Sequence, residues 1–187
     1  MKGKSLLLSL TIGTIFFFIS QGRCEEPDIY YARCNLRITK GDYISWANWQ
    51  AAPTFLSAGT QLKVTKSGSK AILVNVETQS TYTLDIGADE DVFLEKFLTK
   101  KPVNIKNFPP DVQTNIGNAV ARVGMTKEQV YIAMGPPAKI PRGKTNKMTY
   151  EDIMGADLWL YATQRFGKNM GVRFDPYTGL ANMTEGI

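Results

Sequence analysis

The amino-acid sequence predicts an α+β fold, in which a small antiparallel β-barrel precedes two helices and a three-stranded antiparallel sheet. Short segments that alternate polar and apolar residues recur between residues 29 and 87, with Gly- and Ser-containing turns between them, as in a small barrel. A short helix with both ends encoded precedes residue 135, and strand-like segments follow it. A Pro- and Asn-containing linker near Asn104 separates the two patterns, so we expect domains at residues 23–103 and 104–187.

Residues 1–22 have the pattern of a secretory signal peptide. Two lysines precede an apolar run at residues 6–19, and small residues flank a cleavage site after Gly22. The run is shorter than the ~20 residues that span a bilayer, and an uncleaved membrane anchor is the alternative. We therefore expect a secreted protein, located in the bacterial periplasm, whose mature chain carries a formal charge of +3 because the leader removes two lysines and no acid.

Cys24 and Cys34 are the only two cysteines. In an oxidising compartment they could close a short loop, and an unstrained disulfide of this kind contributes about 2–3 kcal/mol. Two free thiols are the alternative, since the spacing suits neither a Cys-x-x-Cys motif nor a zinc site. Lipid attachment at Cys24 is disfavoured, because Arg23 stands where a lipoprotein signal peptidase needs a small residue.

Four segments form the predicted barrel. They are rich in β-branched and aromatic residues and lie at residues 29–38, 61–65, 71–76 and 81–86. A helix is expected at residues 88–98, because acidic residues precede its apolar side and two lysines follow it.

Three aromatic residues close together in the first half form one candidate binding surface. Tyr43, Trp46 and Trp49 would line a groove for a proline-rich or glycan ligand if they were exposed. The alternative is that they fill the core of the small barrel, which is the more usual place for large aromatic side chains.

The second half begins with a helix that opens at Asp111, in which Val112, Ile116 and Val120 recur every four residues. The better-defined helix follows it. Thr126 and Gln129 have the spacing of a capping box. Val130, Ala133 and Met134 then form one narrow apolar face, and Gly135 with the following prolines, including Pro137, ends the helix.

The segment at residues 138–155 is polar and basic, and is expected to be a flexible loop or sheet edge. Its basic residues form a second candidate binding surface, for an acidic partner or lipid headgroups: Lys139, Arg142, Lys144 and Lys147. Strands are predicted at residues 157–162, 170–174 and 180–183, and a Pro- and Gly-containing turn at residues 175–179 joins the last two.

Four separated elements of the second half occur in the order of a known family. The matching residues are Gly124, Thr126, Gln129, Gly135, Pro137, Trp159, Tyr161, Phe174 and the turn at residues 175–179. The pattern resembles the SmpA/OmlA (BamE-like) family of small periplasmic outer-membrane proteins over roughly residues 110–185. This resemblance implies a helix–helix–three-strand layer. Independently of it, packing of large aromatic side chains predicts that Trp159, Tyr161 and Phe174 cover the capped helix.

A weaker resemblance concerns the first half. The phrase at residues 55–64, Phe-Leu-Ser-Ala-Gly-Thr-Gln-Leu-Lys-Val, and the order of strands over residues 29–87 are similar to bacterial Src-homology-3-like domains. The resemblance implies a small barrel that binds peptides or cell-wall polymers.

The chain contains no histidine, which excludes Ser-His-Asp and Cys-His catalysis and the usual histidine-ligated metal sites. No phosphate-binding loop or nucleophile elbow is present, and the mild charge gives no indication of nucleic-acid binding. We therefore expect a non-enzymatic envelope protein without cofactor or metal, which binds an envelope protein or peptidoglycan and contacts the membrane at most peripherally. The alternatives are a cell-wall-binding module, an enzyme inhibitor, and an enzyme that works without histidine, through Ser–Lys or paired carboxylates; a small-molecule substrate is disfavoured.

Overall fold

The computed structural model describes residues 28–164 and 167–186. The predicted signal peptide, its cleavage site and Cys24 lie outside these ranges. The described chain is a mixed α+β fold, as predicted, with one large curled β-sheet, a second smaller sheet and few helices. Buried residues from both halves of the chain form one contiguous hydrophobic cluster.

The large sheet has eight strands and comes entirely from the first half of the chain. Its strands are β1 (Ile29–Ala32), β2 (Leu36–Thr39), β3 (Tyr43–Ile44), β4 (Thr54–Leu56), β5 (Gln61–Ser67), β6 (Lys70–Asn75), β7 (Thr81–Asp85) and β8 (Leu98–Thr99). Their spatial order is β4-β2-β3-β7-β6-β5-β1-β8, and every pair is antiparallel except β3 with β7. The sheet curls over its buried face, to which alternate residues such as Leu62 and Val64 contribute.

The single strand predicted at residues 29–38 is wrong in one respect, since the structure divides it into β1 and β2. The break lies at residues 33–35, where the backbone bends. There Cys34 and Asn35 both turn into the interior, with exposed fractions of 0% and 2%. The tertiary contacts of these two residues therefore replace regular strand pairing.

The helix predicted at residues 88–98 forms only a short 3₁₀ segment, Asp91–Lys96. Glu90 provides no side-chain cap at its start. Phe93, Leu94 and Lys96 are all buried, whereas Asp91 and Glu95 are exposed.

Helix α1 (Pro110–Gly117) buries Val112 and Ile116, as predicted, but it ends before Val120. Ala119 has a positive φ of 53°, which interrupts the helical path. Helix α2 (Lys127–Met134) follows, and its predicted capping box is confirmed. The Gln129 N–H donates to Thr126 Oγ1 at 3.2 Å, and the Thr126 N–H donates to Gln129 Oε1 at 2.9 Å.

The apolar face predicted for α2 is too narrow. All five residues from Val130 to Met134 are buried, including Tyr131 and Ile132. If the second half folded as a separate domain, one side of α2 would be exposed. Residues from the first half of the chain cover that side instead. The Asn35 N–H, for example, donates to the carbonyl of Ile132 at 2.9 Å.

The smaller sheet has five strands in the order β10-β9-β11-β12-β13. These are β9 (Lys139–Ile140), β10 (Gly143–Lys144), β11 (Leu158–Ala162), β12 (Asn169–Phe174) and β13 (Ala181–Gly186). Residues 138–155, predicted to be a flexible loop or sheet edge, therefore contain regular structure. They include β9, β10 and helix α3 (Tyr150–Met154). Thr149 and Asp152 form a second capping box there.

The aromatic residues of β11 lie on its buried face. Trp159 and Tyr161 are fully buried, while Leu158 and Leu160 are only partly covered. The ring of Trp159 packs edge-on against Tyr131 of α2 at 5.8 Å and against Phe174 of β12 at 4.6 Å. Trp159 therefore packs against the capped helix α2.

Two buried asparagines from the first half hold the C-terminal end of α2. The Asn35 amide donates to the carbonyl of Ala133 at 3.0 Å, and the Asn48 amide donates to that of Met134 at 2.6 Å. The last carbonyls of a helix have no partner within the helix, so these side chains satisfy them. Gly135 follows with a φ of +74°, and its backbone leaves no room for a Cβ next to the Asn48 amide.

Cys34 is shielded from solvent, and we expect its thiol to be unreactive in the folded protein. Burial raises its pKa above the ordinary value, which suppresses the thiolate that reacts with alkylating agents. In a Cys24→Ser variant, iodoacetamide should modify Cys34 only when the chain is unfolded in denaturant. Rapid alkylation of this variant under native conditions, monitored by mass spectrometry, would contradict the buried position.

Candidate docking surface at the β12–β13 turn

The aromatic residues predicted as a binding surface lie in different local environments. Tyr43, Trp46 and Trp49 are all half-buried. The Tyr43 hydroxyl donates to the Asp85 carboxylate at 3.0 Å, and burial together with this carboxylate raises the pKa of Tyr43 to about 12. Trp46 packs against the core, whereas Trp49 lines an open pocket of about 410 Å³.

The four basic residues predicted as a second surface are exposed. Lys139 and Lys144 are direct cross-strand neighbours on β9 and β10, at the edge of the smaller sheet. Like charges in this position repel each other and are destabilising. Arg142 instead pairs with Asp152 at 3.1 Å. Lysines on an edge strand also prevent edge-to-edge association, so this arrangement does not by itself specify a ligand.

The most exposed large hydrophobic side chain in the described ranges is one that the sequence did not single out. Tyr177 is 96% exposed and lies in the turn between β12 and β13. Single exposed apolar side chains are common on protein surfaces, so the exposure of Tyr177 gains weight only from its hydrogen-bonded turn and from other exposed apolar residues on segments joined to it. The sequence pattern of residues 175–179 predicts the turn correctly, but turn chemistry does not reveal which way its central side chain points.

The backbone around Tyr177 is held by a carboxylate. Asp175 Oδ1 accepts hydrogen bonds from the N–H groups of Tyr177 and Thr178, at 3.0 and 2.8 Å, and from the Thr178 hydroxyl at 3.1 Å. These backbone and side-chain donors lower the pKa of Asp175. Gly179 has a φ of +69° and completes the turn by donating its N–H to the Asp175 carbonyl at 2.8 Å. The turn thus presents Tyr177 on a defined backbone.

Two further exposed apolar residues lie on segments joined to this turn. Leu180 closes the turn by accepting a hydrogen bond from the Asp175 N–H, and it is 38% exposed. Val123, which is 65% exposed, precedes Gly124, whose N–H donates to the Ala181 carbonyl at 2.8 Å. We call Tyr177, Leu180 and Val123 the turn surface. Next to Val123, Arg122 is exposed.

Within residues 28–164 and 167–186, no group of three or more His, Cys, Asp or Glu side chains could hold a metal ion. In the same ranges, no helix combines the length and apolar character needed to cross a membrane. The turn surface presents one aromatic and two apolar side chains, which can contribute non-covalent contacts.

The chain was compared with protein-family models, with curated proteins and with solved structures, and it matches none of them. The resemblances of the second half to BamE-like proteins and of the first half to Src-homology-3-like domains therefore stay predictions.

Proposed function

We propose that this chain is a non-enzymatic, secreted binding protein that supports assembly in the bacterial envelope through protein–protein contacts. The observation that carries the proposal is the full exposure of Tyr177 on a turn whose backbone Asp175 holds in place. The order of α1, α2 and the strands β11–β13 supports the BamE-like layering as part of this proposal.

Energetic arguments favour Tyr177 as the anchor of the contact. Interface hot spots are enriched in Tyr, Trp and Arg, and truncating one typically costs ~2 kcal/mol or more of binding free energy. A hydrogen-bonded turn loses little backbone entropy on binding, so more of the contact energy appears as affinity. Asp175 is therefore a positioning residue for the contact that Tyr177 makes.

The charge around the turn surface indicates the chemistry of the partner. Arg122 is exposed beside Val123, and the predicted mature chain is net positive. Complementary potentials favour a partner whose surface has an apolar pocket with an acidic rim. The exposed lysines 139, 144 and 147 would add attraction to the same acidic partner. In the alternative function as an enzyme inhibitor, the same turn would insert Tyr177 into the active site of an enzyme.

A photocrosslinking experiment tests the turn surface. A photoreactive amino acid in place of Val123 is expected to crosslink one discrete envelope protein in cells, because Val123 is exposed on a segment hydrogen-bonded to the strand that follows the turn. Tyr177→Ser should reduce this crosslink about tenfold or more, since it removes the anchor. The yield of crosslinked product, measured by immunoblot, is the readout.

Two controls make the result specific. Tyr177→Ser should change the free energy of unfolding by less than about 0.5 kcal/mol, because the side chain is exposed. The same photoreactive residue in place of Ile72, which is 40% exposed on the large sheet, should not capture the same protein. Equal capture from both positions, or a Val123 crosslink that Tyr177→Ser leaves unchanged, would reject the proposal.

A further inference from the structure

A second surface feature, independent of the turn surface, is a pocket of about 400 Å³ beside the end of β8. It lies where the linker after β8 passes α2 and α3, and its lining residues include Arg33, Lys101, Val103, Phe108, Glu128 and Tyr150. The volume is within the range of sites that bind small ligands or a few residues of a peptide. The lining has a cationic part and an apolar part, and together they indicate the chemistry of the ligand.

The charged part consists of two cations. The Arg33 guanidinium lies over the ring of Tyr150, with 4.2 Å from Cζ to the ring centroid, and its Nε donates to the backbone carbonyl of Glu95. This contact uses Nε. The terminal nitrogens, which also lie close enough to the Tyr150 side chain to interact with it, can pair with a carboxylate. Among the described residues, neither Arg33 nor Lys101 forms an ion pair with an acidic side chain.

The apolar part of the lining consists of Val103, Phe108 and Tyr150, which are half-buried and pack against the core cluster. Such a wall suits an apolar side chain or an aromatic ring. Glu128 also lines the pocket and would repel a second negative group. This charge balance favours a ligand with a single carboxylate over a phosphate or a polyanion.

The neighbouring strand indicates that the carboxylate belongs to an extended chain. β8 is an edge strand of the large sheet and pairs only with β1, through Thr99 opposite Tyr31. Thr99 also lines the pocket. An extended peptide can add to a sheet edge and place its terminal carboxylate in an adjoining cationic site.

We propose that this pocket binds the free carboxyl terminus of a peptide whose last side chain is apolar. Arg33 and Lys101 hold the terminal carboxylate, and Val103, Phe108 and Tyr150 contact the last side chain. None of these residues belongs to the turn surface, so this inference can fail while the proposed function stands, and the reverse also holds.

Calorimetry with two matched peptides tests the proposal. The probes are an acetylated tripeptide that ends in phenylalanine as the free acid and the same tripeptide with a C-terminal amide. The free acid is expected to bind about tenfold more tightly than the amide, because only its carboxylate forms charge-assisted hydrogen bonds. Equal affinity of the two peptides, or no binding of either at their solubility limit, overturns the proposal.

Two lysine substitutions distinguish binding in the pocket from attraction by the net charge of the protein. Lys101→Met should weaken binding of the free acid several-fold without affecting folding, since the side chain is exposed. Lys70→Met removes the same charge at an exposed position outside the pocket and should leave the affinity unchanged. Equal weakening by both variants would show that the net charge alone attracts the peptide, and would overturn the proposed site.

Discussion

Gly135→Ala is expected to destabilise the fold by about 4 kcal/mol. Its φ of +74° and ψ of −166° lie in a backbone region that glycine alone populates, and another residue there costs ~1–3 kcal/mol. The added Cβ would also overlap the Asn48 amide and lie 3.1 Å from the Asn35 carbonyl oxygen. Displacing Asn48 would break its hydrogen bonds to the Met134 carbonyl, which Gln50 also contacts, and to the Arg37 N–H, at a total cost of about 1–3 kcal/mol. Urea denaturation measures the sum.

Two further variants separate strain from contact. Gly41 has a similar φ of +76° but no atom within 4 Å of an added Cβ, so Gly41→Ala should cost only about 1–2 kcal/mol. In an Asn48→Ala background, Gly135→Ala should cost less than it does in the wild type, because the overlap is already gone. Strict additivity of these two substitutions would show that Asn48 does not determine the need for glycine.

Lys96 is expected to make the protein more stable as the pH rises from 8 to 10. Its side chain is 1% exposed, and its Nζ donates to the carbonyls of Thr145 and Asn146 at 2.9 and 3.1 Å. Burial lowers its pKa from 10.5 to about 8, against a smaller opposing effect of Asp85. Between these values the unfolded chain binds more protons than the folded one, so the free energy of unfolding rises with pH, by up to about 1.4 kcal/mol per unit. A neutral amine retains two N–H donors, so both hydrogen bonds can persist.

Comparison with Lys96→Met isolates this effect from other titrating groups. Cys34 and Tyr131 have raised pKa values in the folded state, so they lower stability when the unfolded chain loses their protons at high pH. They do so equally in both proteins. Relative to Lys96→Met, the wild type should therefore gain about 2 kcal/mol between pH 7 and pH 9.5. If the unfolding free energies of the wild type and Lys96→Met changed in parallel with pH, the lowered pKa of Lys96 in the folded protein would be wrong.

The local features of the second half could be predicted because their signals lie within a few residues. The capping box of Thr126 and Gln129 joins positions three residues apart, and the buried side of β11 follows from alternation around Trp159. The missed helix α3 had the same kind of signal, since Thr149 and Asp152 have the spacing of a cap. Its short length and basic surroundings obscured it.

The candidate sites were harder to predict, because exposure depends on what the rest of the chain covers. Tyr43, Trp46 and Trp49 are half-buried although they cluster in sequence, whereas Tyr177 is exposed although nothing in its turn pattern distinguishes it. Arg33 lies inside what reads as a continuous strand, and its position over Tyr150 brings together residues more than one hundred positions apart.

By itself, the sequence determined the α+β class, most of the strands and the ends of α2, since hydrogen bonds and periodicity within one segment encode these features. Only the tertiary structure decided how the two halves join. The Asn35 amide contacts carbonyls 81 and 98 residues away, and Lys96 reaches across 49 and 50 residues. Such contacts leave no local pattern, because each polar group is satisfied by a partner that folding alone brings near.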